Sequence, residues 1–120
     1  MVRPEVVRRR LAQLGEYLTL LERYRRYTLE EFLAEPERYG SAERFLQLAI
    51  EATLDMGSHL IADENLGSVE RSRDIPRRFR EHGRISEGLE QRWIRMIGFR
   101  NILVHEYLDV DRAVVHDVVC

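Results

Sequence analysis

Apolar residues recur along this chain at spacings of three and four, not two. Val7, Leu11, Leu14, Leu18 and Leu21 form one such stripe, which predicts a helix over 4–27. Pro4 fits its first turn. Thr28 followed by Glu31 has capping-box spacing and opens a short helix, TLEEFLA. Pro36 interrupts. Ser41 begins a long helix, roughly 41–64, with Phe45, Leu46, Leu48, Ile50, Leu54, Met56, Leu60 and Ile61 spread over most of its faces. A helix apolar on most sides belongs in the middle of a fold. Leu66-Gly67-Ser68 marks a stop, and 69–82 reads as a charged helix or turn ended by His82-Gly83. Ser86 caps the next helix, with Glu87 and Glu90 in its first turn. That helix runs to about 107. A last segment, RAVVHDVVC, follows Leu108–Asp111.

No segment alternates with a strand period, and no internal repeat occurs. The pattern predicts an all-α fold: an antiparallel four-helix-type bundle with an extra short C-terminal helix, one domain over 1–120. The last helix is too short to stand alone. Either it packs on the bundle, or the chain is cut short there relative to related proteins. At 120 residues, a core forms without metals or disulfides. Cys120 is the single cysteine, which suits a reducing cytoplasm and leaves no C-x-x-C pair for zinc. No run approaches the ~20 apolar residues of a membrane span.

Net charge is −2, so no global basic field draws the protein onto nucleic acid. All nineteen of its basic residues are arginine, none lysine. Codon bias explains this; so does a need for the guanidinium fork, which matches phosphate.

The chemistry concentrates in WIRMIGFRNILVHEY, residues 93–107. Arg100 and Asn101 lie inside an apolar stretch, and a buried guanidinium needs a partner for its charge. Asn101 and His105 are four apart and share a face. Arg100 and Tyr107 lie nearly on one line. Arg100 and His105 are about 140° apart around the helix axis. They therefore flank a broad cleft, or the helix loosens near His105, or two chains build the site. A histidine moves protons near neutrality, and an arginine holds phosphate oxygens. That pair suits acid–base work on a phosphodiester. No zinc spacing, nucleophile–base pair or glycine-rich phosphate loop is present, and no metal or cofactor is expected.

FRNILVHEY resembles the signature of the HEPN superfamily: arginine, a polar residue, three apolar residues, histidine. RNILVHEY is similar to the R-N-x-x-x-H-x-Y form of HepT-type toxins, partners of minimal nucleotidyltransferase (MNT) antitoxins. HLIADENLG, SRDIPRRFREHGRIS and YLDVDRAVVHDVV also resemble family segments, so the likeness spans roughly 1–119. It implies a cytoplasmic homodimer that cuts RNA, often tRNA, by metal-independent attack of the ribose 2′-hydroxyl. In this role His105 is the general acid/base, Arg100 binds the scissile phosphate, and Asn101 orients His105 or touches substrate. It also implies a type II/VII-like toxin–antitoxin module in which the antitoxin silences the toxin by transferring AMP to Tyr107. The alternatives are a non-catalytic HEPN module that partners a nucleotidyltransferase or binds nucleotide, and a plain dimerisation domain.

Weaker signals lie elsewhere. Arg71, Arg73, Arg77, Arg78, Arg80 and Arg84 form a basic run before the motif helix, offset by Asp74 and Glu81. It suits an RNA backbone, and equally a solvated face or an acidic partner. Arg8-Arg9-Arg10 reads as a wet helix side. His59 reads as a helix-end dipole partner, and His82 and His116 as exposed. Tyr17, Tyr24 and Tyr27 read as packing residues, and Trp93 as part of a core or dimer interface.

Overall fold

The computed structural model describes residues 4–105 and 110–119. Helices α1 (Pro4–Glu22), α2 (Leu29–Ala34), α3 (Pro36–Glu64), α4 (Asp74–Glu81), α5 (Glu87–His105) and α6 (Arg112–Val119) follow in order. A 3-10 turn, Arg23–Arg26, separates α1 from α2. Among the described residues there is no strand.

Helix α3 is the central member, as its all-round apolar sequence predicts. It runs antiparallel to α1, pairing Arg10 with Asp55 at one end and Tyr17 with Phe45 nearer the other. It also runs antiparallel to α5: Trp93 Nε1 donates to Thr53 Oγ1 at 3.1 Å, and Leu103 packs in the cluster that holds Leu46. The core has two centres. One gathers Leu21, Phe32, Leu46, Leu103, Val110 and Val115. The other gathers Ile50, Leu54, Ile61, Ile75, Phe79 and Ile97 beneath α4.

Local signals are obeyed where they are strong. The capping box at α2 forms in both directions: Thr28 Oγ1 accepts from Glu31 N at 3.2 Å, and Glu31 Oε1 accepts from Thr28 N at 3.0 Å. Hydrogen bonding to the carboxylate, from the Thr28 backbone N–H first and then from the Thr28 side chain, holds the Glu31 carboxyl below its ordinary range. Ser86 Oγ accepts from Leu89 N at 3.1 Å at the head of α5. Gly83, at φ +70°, takes the left-handed position after α4 that a side chain would disfavour.

Three boundaries differ from the expectation. The first helix ends at Glu22, not 27, because the chain tightens into the 3-10 turn and folds back under Phe32. The long helix starts at Pro36, not Ser41. Proline has no N–H to lose at a first helical position, and Glu35 before it is extended, at φ −121° and ψ 114°. The charged segment 69–82 is helical only over Asp74–Glu81.

His116 is also a correction: it is half-buried, not exposed. Its Nε2–H donates to the Tyr27 carbonyl at 2.8 Å, and its ring packs 5.3 Å from that of Phe32. Together with the fully buried Val115, this contact docks α6 onto the bundle, which answers why so short a helix forms. Arg112 adds a 3.2 Å contact to Glu43.

Candidate active site

Arg100 sits on the inner side of α5, with 18% of its side chain exposed. Two partners from distant parts of the chain hold it. Nη2 donates to Ser72 Oγ at 3.3 Å, and Nη1 lies 3.9 Å from Glu51 Oε1 on α3. Glu51 is itself held by Gln47 Nε2 at 3.1 Å, one helical turn away. Arg100 Nε is buried and makes no hydrogen bond among the described residues. The guanidinium is thus anchored at two corners and only partly satisfied, a state that favours an approaching anion.

The loop that brings Ser72 to α5 is fixed by Asp74. Its Oδ2 accepts from Arg71 N at 3.0 Å and Glu70 N at 3.1 Å. These backbone N–H groups, Arg71 first, hold the Asp74 carboxyl below the usual carboxylate range. As a result Arg71, Ser72 and Arg73 face Ile94, Ile97, Gly98 and Asn101 across a cleft of ≈ 400 Å³. Arg71 and Arg73 put positive charge at its mouth, and Asn101 is exposed beside it.

His105 is the last residue of α5 and is exposed. It lies one turn beyond Asn101, on the side that helical spacing assigns to both. The helix stays regular to this point. So Arg100 points inward toward Ser72 and Glu51 while Asn101 and His105 open outward, the split that the 140° offset predicts. Tyr107 lies outside the described residues.

The basic run divides by environment. Arg73 lines the cleft. Arg77 lies 3.9 Å from Asp74 and Arg80 Nε 3.2 Å from the buried Glu90. Arg78 is the most tied: it donates to the Ser68 carbonyl at 2.9 Å and to Glu81 at 3.1 Å. Among the described residues no group of three His, Cys, Asp or Glu is placed to hold a metal ion. His59 lies 3.8 Å from Asp55, a turn back on α3.

Sequence reasoning missed Ser72 and Glu51 as partners of Arg100. The one available signal was the physical demand itself: an arginine in an apolar stretch must find an anion or acceptor. Nothing in the local spacing says which one.

A second surface feature runs between α1 and α5. Leu14, Leu18, Leu21, Leu46, Ala49, Ile50, Trp93 and Met96 line an apolar trough of ≈ 220 Å³. Leu11 and Leu18 on α1, and Leu89 and Met96 on α5, are exposed.

The ribonuclease HepT-like family model matches residues 14–120. The chain is 27% identical over 110 residues to the tRNA nuclease HepT of Aphanizomenon flos-aquae, spanning 92% of this chain and 75% of that one. It is 32% identical over 74 residues to the mRNA nuclease HepT of Shewanella oneidensis, spanning 62% of this chain and 56% of that one. Among solved structures, a toxin–antitoxin with AMP-PNP superposes with a TM-score of 0.88 at 23% identity, over 96% of this chain and 86% of that one. The tri-AMPylated Shewanella oneidensis HEPN toxin in complex with MNT antitoxin gives 0.87 at 24% identity, over 95% and 85%. No segment of the described residues is long and apolar enough to cross a membrane as a helix. Fold and sequence agree: the chain belongs to the ribonuclease HepT-like family.

Proposed function

We propose that this protein is the RNA-cleaving toxin of a HEPN–MNT toxin–antitoxin pair. The observation that carries the reading is Arg100, held by Ser72 and Glu51 behind a cleft whose mouth bears Arg71, Arg73 and Asn101. Arg100 binds the scissile phosphate and offsets the charge that builds on its oxygens. His105 takes the proton of the 2′-hydroxyl as that oxygen attacks the adjacent phosphorus, or returns a proton to the departing 5′-oxygen. Asn101 orients His105 or contacts the ribose. Arg73, with Arg71, follows the RNA backbone. Arg77, Arg78 and Arg80 extend the same positive side, at a strength reduced by their carboxylate partners.

The reaction needs a base and an acid at one phosphodiester, and each chain supplies one motif histidine. A homodimer meets that need, with the second motif on the facing copy. The apolar trough between α1 and α5 supports it, since contiguous exposed leucine and methionine seek a cover. With all chemistry routed through His105 and Arg100, purified protein is expected to cut total tRNA into discrete fragments ending in cyclic phosphates. The same cleavage is expected in excess EDTA. Uncut tRNA after prolonged incubation with pure, unmodified protein would count against the reading.

The nucleotidyltransferase partner transfers AMP to Tyr107. The tyrosine oxygen attacks the α-phosphorus of ATP, and pyrophosphate leaves. Added phosphates beside Arg100 occupy the guanidinium and block the cleft by charge and bulk. Intact mass of protein co-expressed with its antitoxin is expected to rise in steps of one adenylate. Tyr107→Phe is expected to lose those steps, and an unchanged ladder would show that another residue carries them.

A further inference from the structure

The turn between α1 and α2 reads RYRRY, residues 23–27, and gathers charge that the cleft around Arg100 does not use. Arg26 Nη2 donates to Tyr27 Oη at 2.7 Å, with its guanidinium carbon 4.8 Å from the centre of that ring. Arg38, in the first turn of α3, stacks 4.2 Å over the same ring. Its Nη1 donates to the Glu31 carbonyl at 2.6 Å. With Arg23 and Ser41 these groups line an opening of ≈ 380 Å³, where Glu37 is the one carboxylate. Among the described residues, Arg23, Arg25, Arg26 and Arg38 make no ion pair within 4.0 Å. Seven arginines elsewhere do.

We propose that Arg26 and Arg38, clamped on Tyr27, form a second phosphate-binding subsite that grips the RNA substrate away from the cut. The inference rests on the RNA-cleaving reading and extends it. Guanidiniums stacked on an aromatic face keep their N–H edges free for a partner. The ring and the carbonyl hold both side chains in place, so little rotamer freedom remains to be lost on binding. The Arg23, Arg26 and Arg38 guanidiniums outnumber Glu37, the one carboxylate lining the opening, and an anion offsets the excess positive charge. Phosphodiester oxygens match the guanidinium fork.

The test uses full-length His105→Ala, which holds RNA without cutting it, and fluorescence anisotropy with labelled tRNA at several salt concentrations. Adding Arg26→Ala and Arg38→Ala is expected to weaken binding about tenfold and to lower the salt slope by one to two, roughly one per lost phosphate contact. Removing equal charge from the exposed side of α1 with Arg8→Ala and Arg9→Ala is expected to change affinity less than about twofold. If the alanine pair melts early, Arg26→Gln and Arg38→Gln keep the stems and give the same comparison. Equal affinity and slope for the Arg26/Arg38 pair and its parent would overturn the subsite, even if the wild type cuts tRNA. AMP binding as tightly as tRNA, lost in the same pair, would place a free nucleotide there and overturn the RNA assignment. If the wild type cuts nothing, the cleavage reading fails, and the binding comparison still decides the subsite.

Discussion

His105→Ala is expected to lower the rate of RNA cleavage by about 10²–10⁴-fold, the range for loss of a general acid–base group. Its stability should stay within about 0.5 kcal/mol of wild type, because His105 is exposed at the end of α5. Arg100→Ala is expected to cost about 10²–10³-fold through lost charge stabilisation at the phosphate. The change also frees Glu51, but that carboxylate is 38% exposed and keeps its bond from Gln47. No charge is stranded in the core, and the helical fold should survive. Arg100→Lys is expected to recover little. An ammonium cannot reach Ser72, Glu51 and a phosphate with one planar fork. The measurement is single-turnover cleavage of one tRNA, alongside far-ultraviolet circular dichroism and a thermal melt. Retention of more than about a tenth of the wild-type rate by His105→Ala would remove it from the acid–base role.

The three groups of that site were not equally legible. Helical arithmetic alone separated Arg100 from His105 and put Asn101 with His105, and the structure keeps that separation. It could not supply Ser72 and Glu51, because contacts across the bundle are set by how α3, α5 and the 70–73 loop pack. The same limit explains the fold boundaries. Thr28 and Glu31 act on neighbours three residues away, so their cap was readable. Pro36 has two local meanings, a stop for α2 and a start for α3, and only the extended backbone at Glu35 decides between them. His116 reads as exposed because its neighbours Arg112 and Asp117 are polar. Its burial depends on the Tyr27 carbonyl, which reaches it only once α6 is docked. Local chemistry was visible where the partner lay within one turn, and hidden where it lay on another helix.

Gly57 offers the sharpest test of that packing, and Gly57→Ala is expected to destabilise the fold. In an open helix the same change gains about 0.5–1 kcal/mol, since glycine costs more backbone entropy than alanine. Here α4 lies against α3 at this point. An added Cβ would sit 2.6 Å from Ile75 Cγ2, 3.3 Å from Phe79 Cε2 and 3.4 Å from Trp93 Cη2. Ile75 and Phe79 are buried, and Trp93 is stacked on Phe79 at 6.0 Å, so none of the three yields freely. Overpacking of this kind costs about 1–3 kcal/mol, which outweighs the helix gain and lowers the melting temperature by roughly 3–6 °C per kcal/mol. Gly15→Ala is the matched control. Its Cβ would meet nothing within 4 Å on α1, and the melting temperature should hold or rise. The two variants also separate stability from function. Moving α4 shifts Asp74 and with it the loop that presents Ser72 to Arg100. Gly57→Ala should therefore lose cleavage at temperatures where it is still folded, while Gly15→Ala keeps it. A Gly57→Ala protein as stable as wild type would mean that α4 is not seated on α3 at this glycine. The route from that helix to the phosphate-binding arginine would then fail as well.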